Sequence, residues 1–150
     1  MRRIRTIVHP TDFSRASTAA FKRAVEMAKD NRAQLLLVHV LAPVVATMMP
    51  DGYIPPKLYE DMEAAARATA QKHLRKLVDQ AKRSGVRVRT LLLDGAAHER
   101  IVQAARSRKA DVVVIGTHGR TGFARFFLGS VASRVLAIAP CPVLTVRGKK

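Results

Sequence analysis

Residues Ala33 to Leu41 read AQLLLVHVL. Successive side chains of a strand point to opposite faces, so a run that is apolar at nearly every position is apolar on both. That pattern belongs to a strand covered above and below, as in a parallel sheet flanked by helices. Asp111–Gly116, DVVVIG, repeats it, and Val86–Gly95, VRVRTLLLDG, alternates at first and then becomes fully apolar. Ile4–Pro10 (IRTIVHP) and Pro142–Arg147 (PVLTVR) are shorter strands, the first closed and the second opened by a proline.

Helix-length segments separate these runs. Asp12, Ser14 and Ser17 are N-cap candidates for a helix in which Ala20, Phe21, Ala24, Met27 and Ala28 recur at helical spacing up to about Asn31. A longer helix is expected from Leu58 to Ser84. Its apolar stripe runs through Leu58, Met62 and Ala66 to Leu74, Leu77 and Ala81, with His73 as a partly buried structural histidine and Gly85 as the stop. Ala97–Ala110 and Gly129–Ala139 are the third and fourth helices. The alternation β-α-β-α-β-α-β-α-β predicts one doubly wound α/β domain with parallel strands and right-handed crossovers, with no internal boundary or repeat. Between strand two and helix two, Ala42–Lys57 carries Pro43, Pro50, Pro55 and Pro56, which demands a long loop, either a lid or a plain connection.

The chain has 150 residues, 48% of them hydrophobic, enough for a single core. No apolar run has the length of a membrane span and the N-terminus lacks a signal-peptide pattern, so a cytoplasmic protein is expected. Cys141, the single cysteine, lies between two prolines and reads as a small structural residue. The net charge is +16, from 27 Lys+Arg against 11 Asp+Glu. Such a balance attracts polyanions, yet the basic residues form no block and do not interleave with aromatics. A solvated basic surface is therefore favoured over a dedicated nucleic-acid face.

In a doubly wound sheet, ligands bind beyond the carboxyl ends of the strands at the point where the winding reverses. That directs attention to Pro10–Ser14, Val40–Ala42, Asp94–Ala97 and Gly116–Val131. The last of these reads GTHGRTGFARFFLGSV, with glycines at 116, 119, 122 and 129. Backbone N–H groups converging at a helix N-terminus hold phosphate, and glycine permits the close approach. Ser130, opening the helix, offers a hydroxyl to an oxygen or a cap. Neither G-x-x-x-x-G-K-[ST] nor G-x-G-x-x-G is present, so spacing alone leaves a phosphate loop and a simple turn both open.

The spacing G-x-x-G-x9-G-S, at Gly116, Gly119, Gly129 and Ser130, resembles the ATP-binding signature of the universal stress protein family. IVHPTDFS, LLLVHVL and GSVASRVLAIAPCPVLTVR resemble its first strand and Asp-bearing loop, its second strand, and its C-terminal helix and strand. The resemblance spans essentially the whole chain. It implies a flavodoxin-like sheet of order 3-2-1-4-5, ATP as ligand with Mg²⁺ as a companion, and a homodimer. It also implies a role as a nucleotide-dependent sensor in stress response. Carried onto this sequence, Pro10, Thr11 and Asp12 lie by the adenosine and the Val40 backbone meets the adenine edge. Gly116, Gly119, Gly129, Ser130 and Val131 surround ribose and phosphates. His118 and Arg120 lie inside the motif at variable positions, and Arg120 is suited to pair with a phosphate. GAAHER after the third strand, and the strong basicity, depart from the family's usual pattern.

For catalysis the sequence offers little. Asp12 is a candidate to reach a metal directly or through water, but a helix cap or ribose contact explains it equally well. The five histidines form no H-x-x-x-H or H-E-x-x-H pair. ATP binding with slow or no hydrolysis is the favoured reading. A basic binding protein for nucleic acid or acidic partners and a Mg²⁺-dependent nucleotide hydrolase are the alternatives. The apolar last strand, placed at the sheet edge by the implied order, is a pairing template for a second chain.

Overall fold

A computed structural model describes residues 3–43, 52–118 and 128–148. The elements follow in the expected order: β1 (Thr6–Pro10), α1 (Arg15–Asn31), β2 (Gln34–Leu41), α2 (Pro56–Arg83), β3 (Arg87–Asp94), α3 (Ala97–Ser107), β4 (Val112–Gly116), α4 (Ser130–Ile138) and β5 (Val143–Val146). The strands form one sheet of order β3-β2-β1-β4-β5, and all four pairings are parallel.

The continuous apolar runs divide between two cores. Leu35 and Leu37 of β2, with Ile7 of β1 and Val112 and Val114 of β4, pack with Phe21 and Ala24 of α1 and Leu74 and Ala81 of α2. Their sequence neighbours Leu36, Val38, Val8, Val113 and Ile115 point the other way, onto Ile101 and Ala105 of α3 and Val135 of α4. Each fully buried Leu, Val or Ile contributes roughly 1.5–3 kcal/mol, so both faces of the central strands are held. Cys141 packs, partly buried, against the second core, and burial pushes its thiol pKa up, which keeps it protonated and unreactive.

Three local expectations change. Ser14 is the N-cap of α1, its Oγ accepting from Ser17 N–H at 3.2 Å, while Asp12 accepts from the Ser14 N–H at 2.9 Å and so closes the turn before the helix. Helix α3 ends at Ser107 because Lys109 has φ +49° and leaves the helical conformation. Helix α2 starts two residues early, at Pro56, and its apolar stripe is buried only at Ala70, Leu74 and Ala81. Leu58 and Met62 are each 38% exposed. The reason is length: 28 residues of helix extend about 42 Å, against about 26 Å for the strand beside them. The Arg67 guanidinium reaches the Asp94 carboxylate, at the carboxyl end of β3, at 2.9 and 3.0 Å. The preceding turns therefore overhang the sheet. Gly85, with φ +78°, stops the helix as expected, and His73 is half-buried, edge-on to Phe13 with ring centres 4.8 Å apart.

Among the described residues His9 is the titratable side chain set wholly inside, between β1 and the α1 face. Its Nδ1 donates to the Val114 carbonyl at 2.8 Å, and Nε2 has no partner among the described residues. Burial lowers its pKa from 6.5 to about 4, against smaller upward pulls from that hydrogen bond and from Asp12. The native state thus refuses a proton that the unfolded chain accepts below pH 6.5. Stability is complete above that value and falls as pH drops toward 4. Between pH 7.5 and 4.5 this group alone removes about 2–3 kcal/mol. Urea unfolding at the two pH values measures the loss, and His9→Gln is expected to abolish that part of the pH dependence.

Candidate functional site

At the carboxyl ends of β1, β2 and β4 the sheet opens into a cavity of about 300 Å³, within the size range of small-ligand sites. It lies where the winding reverses: β1 leads to α1 on one face, while the α3 and α4 N-termini close it from the other.

The β1–α1 turn forms one wall and is tightly knit. Thr11 N–H donates to the Val38 carbonyl at 2.8 Å, and its Oγ1 accepts from Phe13 N–H at 3.1 Å and from Ser17 Oγ at 2.8 Å. His39, buried in β2, donates from Nδ1 to the Thr11 carbonyl at 2.7 Å. Phe13 has φ +63°, a conformation L residues with bulky side chains seldom adopt. Its ring is held between His39 and His73, at 4.6 and 4.8 Å between centres. This stack, anchored in β2 and α2, holds the backbone that presents Asp12 in a conformation unfavourable on its own.

The opposite wall comes from β4 and α4. Gly116 ends β4, and a Cβ placed on it would meet the Ala16 carbonyl carbon at 2.8 Å, its oxygen at 2.9 Å and the Ser17 nitrogen at 3.0 Å. The absent side chain thus serves helix packing: it lets the α1 backbone lie against β4. Thr117 donates its N–H to Val146, which ties the wall to β5, and accepts at its carbonyl from Gly129 N–H at 2.6 Å. Its hydroxyl is 2.8 Å from His118 Nδ1. The Thr117–Gly129 bond joins the end of β4 to the start of α4 across the intervening loop.

Helix N-termini leave several N–H groups without intrahelical partners. At α1 the Ser14 hydroxyl takes up that of Ser17. At α4 the N-cap is Gly129 and at α3 it is Ala96, and neither provides a side-chain cap. Ser130, Val131 and Ala132, the first turn of α4, line the cavity, as does Ala97 of α3. Two helix N-termini with their partial positive charge therefore border one cavity.

Nine of the predicted site residues line this cavity: Pro10, Thr11, Asp12, Val40, Gly116, His118, Gly129, Ser130 and Val131. Gly119 and Arg120, like residues 44–51 of the proline-rich loop, lie outside the described residues. Thr117 and Ala97, which also line the cavity, fall within the expected loops Gly116–Val131 and Asp94–Ala97 without being singled out there. Ser17, His39 and Ile101 lie outside those loops and reach the cavity through helix and strand packing that leaves no local mark. Among the described residues no three His, Cys, Asp or Glu side chains converge as metal ligands.

A model of the universal stress protein family matches residues 3–147. Universal stress protein MJ0531 of Methanocaldococcus jannaschii is 37% identical over 146 residues, covering 96% of this chain and 82% of that protein. The solved universal stress protein UspA of Lactobacillus plantarum superposes with a TM-score of 0.84 at 27% identity, over 98% of this chain and 100% of the other. A universal stress protein solved in complex with cAMP gives 0.74 at 26% identity, over 99% and 100%.

The contact at Gly116 carries a direct consequence. Gly116→Ala forces α1 and β4 apart and is expected to cost about 1–3 kcal/mol, read as a lower urea midpoint. Gly85→Ala is its comparison, because a Cβ there meets nothing within 4 Å and only the positive φ opposes it.

Proposed function

The chain belongs to the universal stress protein family, and from that premise we propose that its cavity binds an adenine nucleotide, ATP above the others. In this reading nucleotide occupancy, with slow or no hydrolysis, serves as a regulatory signal in a cytoplasmic stress response. The observation that carries it is the uncapped start of α4, Gly129-Ser130, opening onto the cavity. An N-terminus without its own cap supplies N–H donors and dipole to phosphate oxygens. The neighbour solved with cAMP supports an adenine ligand.

In this reading the base lies against Val40 and the ribose meets Asp12. The phosphates follow the α4 N-terminus past Gly129, Ser130 and Val131, where Gly119 and Arg120 complete the contacts and Mg²⁺ can accompany them. His118 stands at the rim on its bond to Thr117. Asp12 accepts from the Ser14 N–H through Oδ1, which orients the carboxylate of the cavity for a ribose contact.

Isothermal titration with ATP, ADP, AMP and cAMP tests this. ATP is expected to bind most tightly, Asp12→Asn to weaken it about threefold to tenfold, and Gly129→Val by tenfold or more, about 1.4 kcal/mol. Unchanged ATP affinity in Gly129→Val defeats the proposal. Turnover that rises with Mg²⁺ and fails in Asp12→Asn at unaltered affinity favours the hydrolase instead.

We also propose that two chains pair through β5. Val113 N–H donates to the Pro142 carbonyl and Thr117 N–H to that of Val146. Strand groups alternate sides, so Val143 and Thr145 turn their N–H and C=O outward, to the open edge. Leu136 and Ile138 on adjacent α4 are 51% and 50% exposed. Light scattering after size exclusion is expected to give a dimer at micromolar concentration. Thr145→Pro, which removes an outward donor and spares the β4 pairing, is expected to give a monomer.

A further inference from the structure

In a parallel sheet with antiparallel helices, strand starts and helix ends gather at one pole, here the one opposite the cavity. Chain contacts fix the neighbours there. Gln34 N–H donates to the Arg5 carbonyl at 2.8 Å, the Arg87 guanidinium to the Arg32 carbonyl at 3.2 Å, and that of Arg3 to the Asn31 carbonyl at 3.4 Å. Helix α1 carries Lys29 in its last turn and is followed by Arg32; α2 ends in Lys82 and Arg83. Helix α3 carries Arg106 in its last turn, then Arg108 and Lys109. All these cationic side chains are exposed. The acids at these ends are Asp30 and Asp111, and the Asp111 carboxylate is occupied by the backbone N–H groups of Arg5 and Thr6. The lysine and arginine ion pairs among the described residues, Arg23–Glu26, Lys57–Asp61 and Arg67–Asp94, involve none of these cations.

Two of these positions carry more than proximity. After α2 the left-handed position is filled by Gly85, as glycine's freedom favours. At the corresponding turns after α1 and α3, Arg32 (φ +52°) and Lys109 (φ +49°) occupy it instead. At both turns a long cationic side chain stands where its own backbone is strained and glycine would fit better.

We propose that this pole is a second binding surface, for the sugar-phosphate backbone of a nucleic-acid duplex, read without regard to sequence. Four strand starts side by side span about 15 Å, with helix ends on both faces, so several phosphates are in reach at once. Arginine predominates over lysine here, and its planar fork matches phosphate. Among the described residues the exposed aromatics, Tyr53 and Tyr59, belong to the start of α2 and the residues before it, at the other end. The pole therefore lacks the stacking platform that single strands require. Among the described residues the exposed large apolar side chains at this pole are Leu136 and Ile138, in the last turn of α4 beside the β5 edge. None belongs to the ends of α1, α2 or α3 or to the starts of β1 and β3, so the cationic part of the pole lacks the apolar face that inserts into a bilayer. The surface is independent of the cavity and stands whether or not a nucleotide binds there.

The test is fluorescence anisotropy with a labelled 20-base-pair duplex of arbitrary sequence, from 50 to 200 mM salt. Variant one combines Arg32→Gly, Arg83→Gln, Arg108→Gln and Lys109→Gly. Variant two removes the same charge from elsewhere on α1 and from mid-α2, with Lys22→Gln, Lys72→Gln, Arg75→Gln and Lys76→Gln. Wild type is expected to bind with a steep salt dependence, and variant one to lose about 30-fold or more in affinity at 50 mM salt and about 3 from the log–log slope. Variant two is expected to stay within about threefold at 0.1 M salt, where charges beyond about 10 Å are screened. Thermal unfolding checks the fold, since the two glycines relieve strained positions and variant one should melt no lower than variant two. No duplex binding at 50 mM salt, equal losses in both variants, or tighter binding to phosphatidylserine vesicles or polyglutamate than to duplex at equal salt overturns the proposal.

Discussion

Where β4 ends, the backbone of α1 passes so close that Gly116 has no room for even a methyl group. That contact brings the β1–α1 turn, which carries Asp12, against the strand that leads to α4. The cavity opens where the β1–α1 turn and the end of β4, held together at their base, lead to helices on opposite faces of the sheet. From there the hydrogen bonds run outward, from Thr117 to Val146 of β5 and to Gly129 at the head of α4. The start of α4 is thereby tied to the sheet itself.

The two walls are built differently. On the β1–α1 side polar groups are matched internally: Thr11 with Ser17, Asp12 with Ser14, His39 with the Thr11 carbonyl. The Phe13 ring between two histidines keeps the turn in a conformation that local preference opposes. On the α3–α4 side the helix starts lack side-chain caps and present backbone donors to the cavity. A rigid, satisfied wall faces one with binding capacity in reserve, a division suited to positioning a small anion-bearing ligand.

The same winding that gathers helix N-termini around the cavity gathers helix C-termini at the far pole. Cations there interact favourably with the helix dipoles, so basic side chains at helix ends have an ordinary structural benefit. Left-handed arginine and lysine after α1 and α3 exceed that benefit in kind, because glycine ends α2 without a charge. A protein of this topology can thus hold a small ligand at one end and a polyanion at the other, with the sheet between them.

Much of this was legible in the residues. The double-sided apolar runs at 33–41 and 111–116 required a covered parallel sheet, because a strand buried on both faces cannot spare either to water. Gly129-Ser130 after such a strand marked a helix start at the ligand end. Sequence periodicity could not tell that the first turns of α2 overhang the sheet, since the stripe continues unchanged through Leu58 and Met62 while burial depends on where the strand beside it stops. Nor could it assign Gly116 to helix packing, foresee Phe13 locked between His39 and His73, or bring Ser17, His39 and Ile101 to the cavity. Those are contacts between segments far apart in the chain. The sequence by itself determined the elements, their order and the end of the sheet where the cavity opens, because local hydrophobic period and turn chemistry set those. Only the tertiary structure decided which helix starts stay uncapped, which backbone must come within 3 Å of which strand, and that cations scattered along the chain meet at one pole, because proximity across the sheet is created by the winding and leaves no trace in any single stretch.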